Sequence, residues 1–273
     1  MSYLTTLFGL EGKRAFVTGG GGGIGLMISR GLAGAGAHVI IASRQLEQCQ
    51  AAAQAINDDP ALPGSAEAFA ADLSTEQGVN DAVEQLKTRT DSLNILINNS
   101  GRSWGQPFDQ FPYPAWGKVM DLNVTAMFEL TKQLTPMLAS AASDDDPSRV
   151  VNVGSVMGTQ PVAEGAYSYS TSKAAVHHMT RILARELAHK RITFNAIAPG
   201  PFLSGMTKFA LGDDAKADAV AAKNPLGRLG TPEDAAGCTI FLCSRGGAYT
   251  SGCILPVDGG LNVKTGDMLF DAV

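Results

Sequence analysis

Short apolar, β-branched runs alternate along the chain with longer stretches of helical periodicity, as expected for repeated strand–helix–strand units on a parallel sheet. The strand candidates are residues 14–18, 38–42, 68–71, 94–98, 149–153, 192–197 and 253–257. Helical spacing predicts helices over 24–34, 45–56, 75–90, 114–138, 167–190 and 232–243, with Ser74 as N-cap of the 75–90 helix. Residues 199–224 read as a mostly helical insertion, rich in Gly, Met and Phe, that suits a substrate lid over about 200–225. The expected fold is α/β: a doubly wound parallel sheet of about seven strands with helices on both faces, in one domain over 1–273.

Composition narrows the class. A hydrophobic fraction of 45% and a charged fraction of 17% describe a globular chain. The formal charge is −5 and no dense basic run appears, which argues against nucleic acid as a partner. No apolar run reaches the roughly 18–20 residues of a membrane span, and residues 1–10 lack the pattern of a signal peptide. Cys49, Cys238, Cys243 and Cys253 have no metal-site spacing, so they read as reduced thiols in a cytoplasmic protein, with no metal centre. The run Asp144-Asp145-Asp146 lacks the spaced oxygen ligands of a cation site and reads as a solvated connection.

Two stretches carry candidate chemistry. The run Gly19-Gly20-Gly21-Gly22-Gly23-Ile24-Gly25 follows the first strand and opens a helix, where a Rossmann-like fold places its phosphate turn. Five consecutive glycines fit several registers, and a plain flexible loop is the competing reading. At the end of the second strand stand Ser43 and Arg44 where an NAD site would carry an acid, a pair suited to the 2′-phosphate of NADP(H). Tyr169 and Lys173 lie one turn apart on a predicted helix, so the ammonium is expected to lower the phenol pKa and make Tyr169 a proton donor and acceptor. Alone, such a pair is also a common accident of a helix surface.

Taken together and in order, these motifs resemble the short-chain dehydrogenase/reductase family over almost the whole chain. Gly19, Gly22, Gly23, Ile24 and Gly25 are similar to its cofactor turn, and Asp72 with Leu73 to the segment that meets the adenine. Asn98-Asn99-Ser100-Gly101 is similar to its N-N-A-G, with Asn99 and Gly101 at the cofactor. Asn123, Ser155, Tyr169 and Lys173 match its catalytic positions; Pro199, Gly200 and Phe202 match the segment under the nicotinamide, and Ser204 the hydroxyl near the carboxamide. Gly227–Glu233 and Asp258-Gly259-Gly260 also look familial. Within the family the chain looks most like 3-oxoacyl (β-ketoacyl) reductases, including the type associated with rhamnolipid synthesis.

The resemblance implies hydride transfer between NADP(H) and a small carbonyl or alcohol substrate. Tyr169 would move the proton, Lys173 lower its pKa and bond the nicotinamide ribose, Ser155 hold the carbonyl oxygen, and Asn123 position a water. It also implies a homotetramer or dimer. Trp104, Met157, Gln160, Val162, Phe202, Met206 and Phe209 are the pocket candidates, each also readable as core or lid packing. His177 and His178, without carboxylate or Cys partners at ligand spacing, read as surface or interface residues. Two departures stand out. The glycine turn lacks the basic residue many NADP-using members carry there. The Asp144-Asp145-Asp146 run is expected at the active-site approach, where it would repel an acidic acyl carrier and favour a CoA ester or free ketone. An NAD-linked alcohol or sugar dehydrogenase and a non-catalytic NADP-sensing protein are the alternative readings.

Overall fold

The apolar run Ala15-Phe16-Val17 is fully buried because β1 (Arg14–Thr18) takes the middle of the sheet. It pairs in parallel with β2 (His38–Ser43) on one side and β4 (Ile95–Asn98) on the other. The computed structural model describes residues 2–203 and 213–264. Beyond β2 lies β3 (Ser65–Ala70); beyond β4 follow β5 (Ser148–Val153), β6 (Ile192–Pro199) and β7 (Ile254–Val257), giving the order β3-β2-β1-β4-β5-β6-β7. The chain winds outward from β1 in one direction, then returns and winds outward from β4 in the other. Such a reversal opens a crevice at the carboxyl ends of the two central strands.

Side chains alternate across the sheet and feed two cores. Phe16, Ile40 and Leu96 pack on one face against α4 (Glu76–Lys87), α6 (Ala126–Ala141) and α7 (Tyr167–Glu186), through Val83, Leu130 and Leu183 among others. Val17, Val39 and Ile97 pack on the other against α2 (Gly23–Gly34), α3 (Leu46–Asn57) and a late helix, Pro232–Cys243, through Ile28, Ile56 and Leu242. Each such side chain contributes about 1.5–3 kcal/mol on burial. This burial on both faces is why the strands read as unbroken apolar runs. Among the described residues no helix is long and apolar enough to cross a membrane.

Several expected boundaries move. The 114–138 helix is interrupted: α5 (Tyr113–Met120) passes into a wide π-type turn at Asp121–Thr125 before α6 begins. There Ala126 N–H reaches back to the Asp121 carbonyl, and the extra residue turns Asn123 into the protein. Helix α4 is capped by Thr75, not Ser74, because Thr75 is extended and its hydroxyl accepts from Gly78 N–H at 3.1 Å, whereas Ser74 N–H is taken by Asp72. The helix predicted to run to Lys190 stops at Glu186, and the chain reverses through Arg191 in the left-handed region at φ 57°. Strand β3 begins earlier than its composition suggests, because Ser65 pairs with His38. Of the lid segment, Phe202 bridges to Gly230 and α8 spans Asp214–Ala221; residues 204–212, including Ser204, Met206 and Phe209, lie outside the described residues. Pro232–Cys243 is α9.

The acidic run is an exposed connection, as expected, but Asp144 and Asp146 are ion-paired and the run does not stand near the carboxyl ends of the strands. Asp146 pairs with Lys13 and, at 3.0 Å, with Arg149; Asp144 pairs with Arg191. Arg149 is 1% exposed and also donates to the Ser244 carbonyl at 3.1 Å. Lys13, Ser148 and Arg191 all stand at or just before the start of a strand. The run therefore sits at the amino edge of the sheet, away from the crevice, and offers no repulsion to an acidic partner there.

Candidate active site

Loops leaving the carboxyl ends of β1 to β6 enclose a cleft of about 580 Å³. It gathers Gly19, Gly22, Gly23 and Ile24 from the glycine turn, Ser43 and Arg44 from the end of β2, and Asp72 and Leu73 from beyond β3. Asn99, Gly101, Ser155, Tyr169, Lys173, Pro199, Gly200 and Phe202 line the same space. Gly25 and Asn123 stand behind this wall and shape it.

The glycines of the turn are fixed by contact. Gly19 has φ +66°, and a Cβ there would lie 2.8 Å from Asn99 Nδ2; a Cβ on Gly25 would lie 2.3 Å from the Gly19 carbonyl oxygen. Thr18 ties the turn to β4: its Oγ1 donates to the Ile97 carbonyl and accepts from the N–H groups of Asn99 and Ser100, both at 3.0 Å. Asn99 Nδ2 returns the connection, donating to the carbonyls of Thr18 at 2.9 Å and Gly19 at 3.1 Å. Gly22 opens α2 without a side-chain cap, so the first N–H groups of that helix remain available to an anion in the cleft. This bare cradle fits the pyrophosphate of a dinucleotide.

At the exit of β2 the Arg44 side chain is exposed, with no carboxylate partner among the described residues. The Ser43 hydroxyl is already engaged, accepting from Gln45 N–H at 3.1 Å and lying 3.0 Å from Cys49 Sγ. Asp72 is held below the usual carboxylate range by its hydrogen bonding to Ser74, aided by the charges of Arg44 and Arg102.

The end of the cleft that holds Ser155, Tyr169 and Lys173 is built by β5, the π-type turn and α7. Ser155 sits just past β5; its Oγ accepts from Met157 N–H at 3.2 Å and hydrogen-bonds Tyr169. Lys173, 5% exposed, donates to the Val153 carbonyl at 2.6 Å and lies 5.6 Å from the centre of the Tyr169 ring. Asn123 Nδ2 donates to the Arg102 carbonyl and to Ser172 Oγ, both at 2.9 Å, and its Oδ1 accepts from Arg102 N–H at 2.8 Å. The π-type turn thus clamps the loop after β4 to the middle of the Tyr169–Lys173 helical turn.

One expectation is reversed. Burial pushes the Tyr169 phenol above its ordinary value, with the Ser155 hydrogen bond acting the other way. The Lys173 ammonium is directed to a backbone carbonyl and stands over the ring, so its attraction does not offset the loss of solvent. Burial lowers Lys173 itself to about 8.

His177 is the second correction. It lies one turn beyond Lys173 and is 5% exposed, whereas His178 is exposed as expected. Its ring fills the space left by two glycines: a Cβ on Gly154 would lie 2.2 Å from Nε2, and one on Gly158 2.8 Å from Cε1. Nε2 accepts a long bond from Ser155 N–H at 3.5 Å. Burial, then the charges of Lys173 and Arg181, lower its pKa to about 4, so the ring is neutral. Sequence pattern offered no partner for it; the pair Gly154 and Gly158 after β5 was the available signal. Thr18, Ser172 and the Val153 carbonyl were likewise missed as supports, since each acts on a residue distant along the chain.

The pocket candidates separate. Trp104 has a buried indole N–H without a hydrogen-bond partner among the described residues, and Lys118 Nζ lies 5.6 Å from its ring centre. Gln160 is tied to the Asn262 carbonyl at 2.9 Å, and Val162 is exposed. Met157 is partly buried in the turn after Ser155. Phe202 is 2% exposed, with its ring laid on Gly230, and so serves packing as well as the cleft wall.

Comparison with known proteins converges on one family. The short chain dehydrogenase family model matches residues 13–214. The rhamnolipids biosynthesis 3-oxoacyl-[acyl-carrier-protein] reductase of Pseudomonas aeruginosa is 43% identical over 256 residues, covering 94% of this chain and 98% of that protein. Gluconate 5-dehydrogenase of Gluconobacter oxydans is 31% identical over 94% of this chain and 98% of that protein. Among solved structures, the Pseudomonas aeruginosa RhlG/NADP active-site complex superposes with a TM-score of 0.90 at 43% identity, covering 94% of this chain and 99% of that one.

Proposed function

Because this chain belongs to the short-chain dehydrogenase family, we propose that it is an NADPH-dependent reductase converting a ketone, specifically a 3-oxoacyl thioester or related β-keto compound, to a secondary alcohol. The observation that carries this is the convergence of Ser155, Tyr169 and Lys173 with a bare glycine cradle on a single cleft. The 3-oxoacyl reductase at 43% identity and the NADP-bound structural neighbour support the substrate and the cofactor.

The nicotinamide, when bound, supplies the hydride. The α2 N-terminus would hold the pyrophosphate, and Arg44 would meet the 2′-phosphate. Ser155 Oγ directs a hydrogen bond at the carbonyl oxygen as negative charge develops on it. Tyr169 gives that oxygen its proton, and the neighbouring Lys173 ammonium steadies the phenolate left behind. Asn123 fixes the α7 turn carrying both residues and links it to the loop beside the substrate. In the free protein Tyr169 stays protonated well above neutral pH, the form required of a proton donor in the reducing direction.

We further propose a cytoplasmic homotetramer. The unpaired Cys49, Cys238, Cys243 and Cys253 fit a reducing compartment. Exposed Trp116, Phe128 and Ile182, on α5, α6 and α7, suit faces covered by further copies.

Oxidation of NADPH followed at 340 nm with a 3-oxoacyl-CoA, a 3-oxoacyl carrier thioester and 5-ketogluconate tests the substrate assignment. Turnover of the thioesters is the expected result. Turnover of 5-ketogluconate alone would replace it with a sugar-acid dehydrogenase, the reading favoured by the gluconate relative at 31% identity.

A further inference from the structure

We propose that Gln48 is a ligand of the cofactor's 2′-phosphate and, together with Arg44, sets the preference for NADPH over NADH. The inference rests on the NADP(H) reading above and names a residue of that site which neither the glycine turn nor the β2 exit had indicated.

Gly21 and Gly22 bring no side chain to the wall of the cleft that faces the exit of β2. Helix α3 approaches that bare wall closely. A Cβ on Gly21 would lie 2.9 Å from Cys49 Sγ, and one on Gly22 would lie 2.7 Å from Gln48 Nε2. The carboxamide of Gln48 therefore occupies the space that a side chain at position 22 would need. It lines the same cleft as Ser43, Arg44 and Gln45. Residue 48 is exposed, and its carboxamide makes no hydrogen bond to any described residue.

The donors available there decide the ligand. Ser43 Oγ is engaged in the turn by Gln45 N–H and Cys49 Sγ. That leaves the Arg44 guanidinium and the amides of Gln45 and Gln48 as side-chain donors without a hydrogen bond to any described residue, and of the two amides it is Gln48 whose Nε2 stands against the glycine turn at Gly22. A phosphate dianion accepts several hydrogen bonds at once and is best held by donors converging from different directions. Of the nearby carboxylates Glu47 does not line the cleft, whereas Asp72 does, with its charge partly met by Arg44 and Arg102.

The test reads binding without turnover. Dissociation constants for NADPH and NADH are measured by fluorescence titration, and those for 2′,5′-ADP and 5′-AMP by calorimetry, on wild type, Gln48→Ala, Gln48→Glu and Arg44→Ala. Loss of one neutral hydrogen bond predicts about three- to tenfold weaker NADPH and 2′,5′-ADP binding for Gln48→Ala, with NADH and 5′-AMP changed less than about twofold. Gln48→Glu, which sets a carboxylate against the phosphate, should weaken the phosphorylated ligands further still. Equal effects on both members of each pair, or no effect on either, overturn the role of Gln48. If Arg44→Ala alone removes the discrimination, the NADP(H) reading stands and only Gln48 is excluded; if wild type itself does not discriminate, that reading falls. An unchanged melting temperature in the exposed-site variants confirms that folding does not enter the comparison.

Discussion

At the amino edge of the sheet Lys13, Arg149 and Arg191 are each matched to a carboxylate of the 144–146 run, while at the carboxyl edge Arg44 has no carboxylate partner among the described residues and Lys173 bonds only a backbone carbonyl. The same side-chain types do different work at the two ends. Paired charges at the amino edge close the fold, fastening the start of β5 to the segments before β1 and β6. On the function proposed above, the carboxyl-edge cations, which form no ion pair among the described residues, would be available to phosphate and to a developing alkoxide. Proximity of opposite charges thus marks structure here, and their separation marks the site.

The largest effect should come from the carboxyl edge. Tyr169→Phe is expected to lower kcat by about a hundred- to ten-thousandfold, the range for losing a positioned proton donor, while fluorescence titration shows NADPH binding intact. Retained turnover would remove Tyr169 from the mechanism. At the amino edge, Asp146→Ala leaves Arg149 buried without its counter-charge. Asp146 is itself 32% exposed, so the cost should lie near the lower end of the range for such losses, about 3 kcal/mol. Urea denaturation should show that loss, with the remaining folded enzyme keeping its kcat/KM; Asp146→Ala combined with Arg149→Met should recover part of it.

An intermediate effect links the two edges through acid. His177 has a folded-state pKa of about 4 against an ordinary 6.5, so the unfolded chain takes up this proton more readily. Stability from this residue is therefore constant above about pH 6.5 and falls progressively as pH drops toward 4. Melting temperatures across that window should decline less steeply in His177→Gln. Equal slopes would mean that other groups govern acid unfolding. The smallest effect is reserved for Asp145→Ala: this exposed carboxylate has no ion-pair partner among the described residues, and stability should move by less than about 0.5 kcal/mol. A larger loss would show that the acidic run acts as a whole rather than through Asp144 and Asp146.

The parts legible in the sequence were those written in local periodicity and in glycine. The β1 and α9 boundaries, the turn at Gly19–Gly25, and the spacing from Tyr169 to Lys173 all follow from patterns within a few residues. What escaped depended on partners distant along the chain. The π-type turn at Asp121–Thr125 exists where Asn123 meets Arg102 and Ser172. Lys173 could be placed beside Tyr169 from spacing alone, but not the Val153 carbonyl to which its ammonium donates. The acidic run looked relevant to substrate approach until the sheet showed which edge it occupies, because sequence order does not reveal which end of a strand faces the crevice.

The bonds from Thr18 to Asn99 have a kinetic consequence. They join residues 81 apart, and the β1–β4 pairing they secure is parallel, so no hairpin can nucleate it. Closing so long a loop is slow and entropically costly. The phosphate turn thus acquires its final shape only after the chain has brought β4 back to β1, late in assembly. A dinucleotide that recognises the finished turn then draws the population toward fully formed molecules by mass action, so the cofactor's cellular concentration helps set how much of this protein is folded as well as how fast it works.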